Sequence, residues 1–164
     1  MKVGYSAGDR VVFPPYGVGV VSGISTQSVS NIPRRYYQVE FLSNSSKAYV
    51  PVDQPRMGGL RPVIDVKEVD EIEKRLQDDV SILPGQWFAR YQKVTEVLAK
   101  GDPFELASLA SELRNKLLRR GLPDLDLQSY RRAVKCLLQE IRELKDDRAK
   151  GVENILKQAL LEIG

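Results

Sequence analysis

The helical half of this chain is organised around the stretch Pro84-Gly85-Gln86-Trp87-Phe88-Ala89-Arg90-Tyr91-Gln92-Lys93. It holds the single tryptophan of the protein, two further aromatic residues and two cations. Because proline and glycine interrupt regular structure, we predict that a helix begins near Gln86 and carries Trp87 in its first turn. An indole there can either close the end of a hydrophobic core or project outward as an apolar wedge flanked by charge.

Helical periodicity favours burial of this tryptophan. Residues at i, i+4, i+7 and i+11 form one helical face, and here they are Trp87, Tyr91, Val94 and Leu98. Since large aromatic residues are mostly buried, spacing alone predicts Trp87 in the core. The exposed alternative stays open, because a first-turn side chain can overhang the packed surface. Arg90 and Lys93 also flank the apolar stripe, where they could reach phosphates.

The composition argues against an enzyme. The 164 residues include no histidine, the commonest general base and metal ligand. The sequence shows neither a Gly-rich phosphate loop nor a carboxylate pair in an apolar frame. The single cysteine, Cys136, lies in a helical pattern of aliphatic residues and is predicted to be a small, mostly buried hydrophobic residue. We therefore expect no catalytic residue, no cofactor and no bound metal ion.

Charge and hydropathy restrict the partners. The net charge is +3. Residues 1–63 carry seven cations against three acids, and the remaining residues carry 18 cations against 19 acids. A protein that coats nucleic acid by itself is therefore not expected, and any DNA contact should be local. No apolar run reaches the roughly 18 residues of a membrane span, and the N-terminus lacks an apolar signal region, so we expect a cytoplasmic protein without membrane contact.

Residues 1–63 have the pattern of a small β domain. Short segments rich in β-branched and aromatic residues predict strands at 10–13, 19–24, 36–41 and 47–52, with turn signals at 14–17, 28–33 and 43–46. Such strands suit a strongly bent barrel of the Tudor or SH3 type. The alternation of Tyr37, Val39 and Phe41 predicts one buried face, with Gln38 and Glu40 opposite. Glycines 17, 19 and 23 are expected at bends or positive-φ sites.

Barrels of this size bind partners at their edges far more often than they catalyse reactions. Pairing with a strand of another protein is the mode that we expect. The residues placed near such an edge are Arg34, Arg35, Lys47 and Tyr49. The alternative for each is an ordinary solvated strand residue.

A hinge is predicted at residues 57–62, which divides the chain into domains 1–63 and 64–164. The second domain is predicted to be a compact bundle of about five helices, giving an α+β fold overall. Helix boundaries follow from a stop at Gly101, a cap and first-turn proline at Asp102-Pro103, a loop at 121–126 and a cap at Asp146-Asp147. The long fourth helix is expected to carry on one face the residues Tyr130, Val134, Leu137, Ile141 and Leu144.

The helical half of the sequence contains two basic clusters. Arg119-Arg120 closes the third helix, where cations are stabilised by the negative end of the helix dipole. Arg131-Arg132 with Lys135 forms a second cluster that could line the same face as Arg90. The alternative is an ordinary solvated helix face.

Taken over essentially its whole length, the sequence resembles the CarD family of bacterial transcription regulators, also called CdnL. The resemblance is carried by the stretches 8-GDRVVFPPYGVG-19, 36-YYQV-39, 50-VPV-52, 59-GLR-61, 86-QWFARY-91, 98-LAKGDP-103 and 120-RGL-122. The first stretch is also found in the RNA polymerase-binding module of transcription-repair coupling factors. The tryptophan helix and the Gly101-Asp102 break are more specific for CarD.

The resemblance implies a two-part adaptor. The Tudor-like domain would dock on the lobe of the RNA polymerase β subunit by strand-edge contacts, with Arg34, Arg35, Lys47, Tyr49 and Gln27 as candidate contacts. The helical domain would reach promoter DNA at the upstream fork of the bubble in a sigma-containing holoenzyme. There the tryptophan would enter the minor groove and stabilise the open complex. Candidate DNA contacts are Trp87, Arg90, Lys93, Gln86 and Arg132.

This resemblance reverses the spacing-based prediction, so Trp87 is now expected to be exposed. It also implies a monomer that is associated with the nucleoid through RNA polymerase. Two departures from the family pattern stand out. Ala89 and Gln92 occupy positions where other members carry more cations, and Tyr49 occupies a position that is often arginine.

Two other readings remain. A polymerase- or repair-helicase-interacting module without DNA contact would keep Trp87 in its core. An RNA- or ribosome-binding protein would need a basic strand face, against which Gln38 and Glu40 argue.

Overall fold

The computed structural model describes residues 4–56, 58–79 and 81–163. The chain separates into two compact units, Met1–Val63 and Ile64–Gly164. We describe each unit by itself.

The first unit is a five-stranded antiparallel sheet. Its strands are β1 (Arg10–Phe13), β2 (Gly17–Val29), β3 (Ile32–Phe41), β4 (Lys47–Pro51) and β5 (Arg61–Pro62). The strand order is β4-β3-β2-β1-β5. This architecture confirms the predicted α+β fold with an N-terminal unit of the Tudor type followed by helices.

Two details of the sheet differ from the prediction. The turn expected at 28–33 shrinks to Ser30 and Asn31, whose φ angles are 52° and 64°. Positive φ at both positions is the signature of a two-residue hairpin turn, so β2 and β3 extend into a longer ribbon than predicted. Strand β5 also occupies part of the predicted hinge and pairs with β1. Met57, the first hinge residue, lies outside the described residues.

The sheet buries one face, as its alternation predicts. Tyr37, Val39 and Phe41 are buried, whereas Glu40 is exposed. Gly19 is required by close packing, because a Cβ atom at that position would lie 2.6 Å from Cγ1 of Val39.

The described part of the second unit contains five α-helices, as predicted. After a short 3₁₀ turn at Val66–Glu68 come α1 (Val69–Gln77), α2 (Trp87–Lys100), α3 (Pro103–Arg120), α4 (Asp124–Ile141) and α5 (Asp147–Ile163). The predicted loop at 121–126 is too long, because α4 already begins at Asp124. Acidic side chains in the first turn, at Asp124 and Asp126, stabilise this earlier start. Leu144, expected on the same helix, lies beyond its end.

Three of the predicted helix boundaries are confirmed at atomic detail. Asp102 Oδ1 accepts hydrogen bonds from the backbone N–H groups of Phe104, at 2.8 Å, and Glu105, at 3.3 Å. Gly101 ends α2 in the left-handed conformation with φ of 66°. Asp146 Oδ1 accepts from the Arg148 N–H at 2.9 Å and so caps α5. These caps fix the end of α2 and the starts of α3 and α5.

The helices surround one hydrophobic core. Leu109 and Leu113 of α3, Leu137 of α4 and Leu156 of α5 are fully buried in it. Cys136 packs partly buried against this core, which confirms its prediction as a small hydrophobic residue. Burial raises the pKa of the Cys136 thiol, so this sulfur is a poor nucleophile.

Candidate functional site

Three aromatic side chains are exposed together at the start of α2, and we call them the aromatic patch: Trp87 (59% exposed), Phe88 (54%) and Tyr91 (45%). The Trp87 and Tyr91 rings are stacked, with centroids 6.0 Å apart and planes within 10°. The Trp87 and Phe88 centroids are 6.5 Å apart. Exposed apolar side chains gathered in this way are typical of interaction surfaces.

The spacing-based prediction of a buried Trp87 is therefore wrong, and so is its extension to Tyr91. Helix α2 buries Val94, Val97 and Leu98, which all lie beyond its midpoint. Its first two turns overhang the packed part of the bundle. A helical stripe identifies which side of the helix faces inward, but it does not reveal how far along the helix the neighbouring elements reach.

Local hydrogen bonds hold the base of the patch. Gln86 is the N-cap of α2, and its Oε1 accepts from the Ala89 N–H at 2.8 Å. Arg90 Nη1 lies 3.4 Å from the Gly85 carbonyl oxygen, to which it donates. These contacts use the side chains of Gln86 and Arg90, both candidate DNA contacts, within the protein itself.

Arg90 also connects α2 to α4. Its Nη2 lies 3.5 Å from Oδ2 of Asp126, and the two side chains are only 17% and 16% exposed. Lys93, one turn further along α2, is half-buried. Of the two predicted phosphate contacts beside Trp87, Arg90 is thus paired with a carboxylate in the free protein.

Arg132 is exposed on α4. The Arg90–Asp126 ion pair does not bring Arg132 next to Arg90. At 3.6 residues per turn, the six-residue separation places it about 120° around α4 from Asp126. Its guanidinium lies near the Cys136 thiol, where its charge lowers a pKa that burial raises. That Arg132 shares a binding face with Arg90 stays a prediction.

A cavity of about 430 Å³ adjoins Arg90 and contains further charges. Lys116 and Arg120 of α3 line it together with Asp126. The sequence analysis assigned Arg120 to stabilising the end of α3 and did not include Lys116 among the candidate site residues, because neither residue lies near Trp87 in the sequence. It also passed over Phe88 as a member of the patch, because Phe88 is off the apolar stripe. Only the packing of α2 against α3 and α4 brings Lys116 and Arg120 close to Arg90.

The first unit presents a second surface, which we call the outer sheet face: Gln27, Arg34, Lys47 and Tyr49. Residues paired across antiparallel strands point to the same side of the sheet. The register pairs Gln27 with Arg34, Gln38 with Tyr49 and Glu40 with Lys47, so the even-numbered residues of β3 define this side. Arg35 points to the opposite side. Four of the five predicted polymerase contacts therefore share a face, and the fifth does not.

The outer sheet face ends at an edge strand. Among the described residues, β4 is one of the two terminal strands of the sheet and pairs only with β3. Beside its end, a depression of about 470 Å³ is lined by Arg34, Arg35, Pro51, Asp53, Gln54 and Gly58. Arg35 thus lies near the edge even though it points away from the outer sheet face.

Two features are absent from the described parts of the chain. They contain no group of three or more histidine, cysteine, aspartate or glutamate side chains that could hold a metal ion. No helix in them has the length and apolar character needed to cross a bilayer.

The chain combines a sheet unit that has an exposed edge strand with a helical unit that has an aromatic patch. Models of known families match both parts. The CarD-like/TRCF RID domain matches residues 5–64, and the CarD C-terminal domain matches residues 71–157. The chain therefore belongs to the CarD family, a family of non-catalytic, transcription-related proteins that interact with RNA polymerase.

Individual relatives were also found. The chain is 22% identical over 152 residues to YdeB of Bacillus subtilis (strain 168), a candidate transcription factor by its name. The match covers 92% of this chain and 98% of that protein. A solved structure, CdnLNt from Myxococcus xanthus, is 31% identical over 40% of this chain and 92% of its own, with a TM-score of 0.33.

Proposed function

We propose that this protein docks on the lobe of the RNA polymerase β subunit and stabilises the open promoter complex by inserting Trp87 into the minor groove at the upstream fork of the bubble. The observation that carries the proposal is the 59% exposure of Trp87 at the capped start of α2, beside Phe88 and Tyr91. A buried indole could not reach DNA without unfolding the bundle.

The physics of a wedge suits this arrangement. Unstacking a base step costs a few kcal/mol, and an inserted apolar side chain compensates for part of the stacking that is lost. On intact duplex the same side chain gains little, so it favours the open complex without reading bases. A difference of about 1.4 kcal/mol already changes the balance roughly tenfold. Stacking on Tyr91 restricts the indole before binding, which lowers the entropic cost of insertion.

Cations beside the aromatic patch would grip the phosphates. Lys93 and Arg90 are the nearest in sequence, with Arg132 as a more distant contact and Gln86 acting through its cap on α2. The Arg90 pair with Asp126, at 3.5 Å, is longer than the 2.7–2.9 Å typical of a charge-assisted hydrogen bond, so a phosphate could displace the carboxylate.

The outer sheet face and the β4 edge would make the polymerase contact. Tyr49 supplies exposed aromatic area, and Arg34 and Lys47 supply charge beside an unpaired strand edge. Docking on the polymerase raises the local concentration of the helical unit near DNA, so weak DNA contacts suffice. The protein would act as a monomer on a sigma-containing holoenzyme, without enzymatic activity, in the cytoplasm and associated with the nucleoid.

The test compares open-complex lifetimes with RNA polymerase holoenzyme for the wild type, Trp87→Ala and Leu161→Ala. Leu161 is 75% exposed on α5 and controls for the loss of an exposed apolar side chain. We expect Trp87→Ala to keep its helical circular dichroism signal and polymerase binding while losing the lifetime extension. Unchanged lifetimes with Trp87→Ala would instead support a polymerase-interacting protein without DNA contact. Loss of helicity would show that Trp87 is structural.

A further inference from the structure

The segment that leads into the aromatic patch is held by one polar face of α3. Four side chains of α3 contact this segment, and we call them the α3 clamp: Ser111, Glu112, Asn115 and Arg119. Residues 111, 115 and 119 recur every four positions and lie on one helix face, with Glu112 beside them. Their partners are at positions 78, 79, 82 and 83, between α1 and α2.

Glu112 is the central member of the clamp. It is only 4% exposed, although a buried carboxylate is costly unless it is paired. Its Oε1 accepts hydrogen bonds from the backbone N–H groups of Ile82 and Leu83, the latter at 3.1 Å. Its Oε2 lies 3.2 Å from Nζ of Lys116. The carboxylate thus accepts two backbone hydrogen bonds at Oε1, whereas Oε2 forms an ion pair with Lys116 that does not have hydrogen-bond geometry.

The other clamp residues hold the preceding turn. Ser111 Oγ donates to the carbonyl oxygen of Asp78. Asn115 Nδ2 and Arg119 Nη2 each lie 3.2 Å from Oδ1 of Asp79, to which they donate. The Asn115 and Arg119 contacts with Asp79 are exposed, so we expect each to contribute less than the contacts of the buried Glu112.

The last residue held by the clamp, Leu83, lies four positions before Trp87 in the sequence. Leu83 is buried in the core and is followed by Pro84, whose ring fixes one backbone dihedral. Only Pro84, Gly85 and Gln86 separate Leu83 from Trp87. Three residues of chain leave little freedom, so the position of the Leu83 backbone sets where α2 starts and in which direction Trp87 projects.

We propose that Glu112 is a positioning residue for Trp87. By holding the Ile82 and Leu83 amides, it orders the entry into α2 before DNA binds, so that less conformational entropy is lost when the indole inserts. The functional part of this inference rests on the proposed role of Trp87. The structural part does not, because it concerns the order of the free protein.

The experiment compares Glu112→Ala, Glu112→Gln and two control variants. Glutamine keeps one carbonyl acceptor for the two amides and should rescue most of the effect. Glu153→Ala removes a carboxylate that pairs with Arg142 and Lys157 instead. Ile141→Val lowers global stability from the far end of α4, about 22 Å along the helix from Asp126.

Three readouts separate positioning from a general structural role. Amide hydrogen exchange at Ile82 and Leu83 should accelerate about tenfold or more in Glu112→Ala, beyond any uniform change across the bundle. The fluorescence anisotropy of Trp87, the single tryptophan, should fall. The open-complex lifetime should shorten about threefold or more, a change that corresponds to about 0.65 kcal/mol. In a Trp87→Ala background, Glu112→Ala should cause no further shortening.

Unchanged exchange and anisotropy in Glu112→Ala would overturn the proposal. So would equal losses in Ile141→Val, or an equal loss of lifetime with and without Trp87. If Trp87→Ala has no effect on lifetime while exchange and anisotropy still respond to Glu112→Ala, the proposed function fails and the positioning of Trp87 by Glu112 stands.

Discussion

Changing Asp126 to asparagine tests whether Arg90 is available to DNA. In the free protein the Asp126 carboxylate lies 3.5 Å from the Arg90 guanidinium. If Arg90 grips a phosphate in the promoter complex, this carboxylate competes with the phosphate for the same cation. Asparagine removes the competing charge with little change of shape. We therefore expect Asp126→Asn to lengthen the open-complex lifetime.

The size of the effect follows from the distance. A phosphate on the other side of the guanidinium would lie about 7 Å from the Asp126 carboxylate, twice the 3.5 Å of the existing pair. Two like charges at that separation repel by about 0.6 kcal/mol in water, which corresponds to about a threefold longer lifetime at low salt. Partial burial would increase this value. Because the Debye length is only about 3 Å at 1 M ionic strength, the gain should disappear there.

The folded protein should tolerate the change. A pair of this length is worth about 1 kcal/mol, so the melting temperature should fall by about 2–4 °C. Asp124→Asn is the matched control, because Asp124 lies in the same first turn of α4 and loses the same charge near the helix N-terminus. Both variants are measured for melting temperature and for open-complex lifetime from low to high salt.

The outcome decides the role of Arg90. A longer lifetime in Asp126→Asn alone, abolished by adding Arg90→Ala, would support a phosphate contact. Equal lifetimes in Asp126→Asn and Asp124→Asn would refute the reasoning, because the carboxylate would then not compete with DNA. A shorter lifetime in Asp126→Asn would show that Arg90 serves to hold α2 against α4 instead.

Two further predictions concern the sheet face and the helical core. Arg34→Ala should weaken binding to core RNA polymerase more than Arg35→Ala, since only Arg34 lies on the outer sheet face. Equal losses of affinity in a binding titration would contradict the proposal that this face contacts the polymerase. Burial raises the pKa of Tyr130 to about 12, whereas an unfolded tyrosine titrates near 10. Because the unfolded state loses its proton first, stability is full below pH 10 and falls between pH 10 and 12. Within the described residues the buried Tyr130 hydroxyl has no hydrogen-bond partner. The Tyr130→Phe variant should therefore be about 1 kcal/mol more stable than the wild type at pH 8, and it should lose less stability than the wild type between pH 8 and pH 11. Urea denaturation at both pH values measures this, and parallel losses in the two proteins would contradict it.

Much of the fold follows from local signals in the sequence. Asp102 and Asp146 cap helices, and Gly101 stops one, because each acts through its own backbone or that of its immediate neighbours. Strand alternation likewise identifies the buried face at Tyr37, Val39 and Phe41. Where the prediction fails, the missing information is tertiary. Strand β5 is two residues long and exists only because β1 offers it a partner.

Local sequence patterns did not predict the arrangement of the candidate site. Spacing placed Trp87 on the inward stripe of α2 and predicted burial, and only the family resemblance reversed that conclusion. The helix period defines a side of a helix, whereas exposure depends on where the neighbouring helices end. The same limitation hid Asp126 as the partner of Arg90 and Glu112 as the support of the Trp87 segment, 36 and 25 residues away in the sequence.

The sequence predicted the α+β fold, most of the helices and strands, and the family, because caps, periodic patterns and motifs are formed by residues close together in the chain. Only the tertiary structure revealed that the start of α2 is exposed and which charged side chains lie next to each other. Those properties arise from contacts between segments that are distant in sequence, and each such contact depends on the packing of the whole unit.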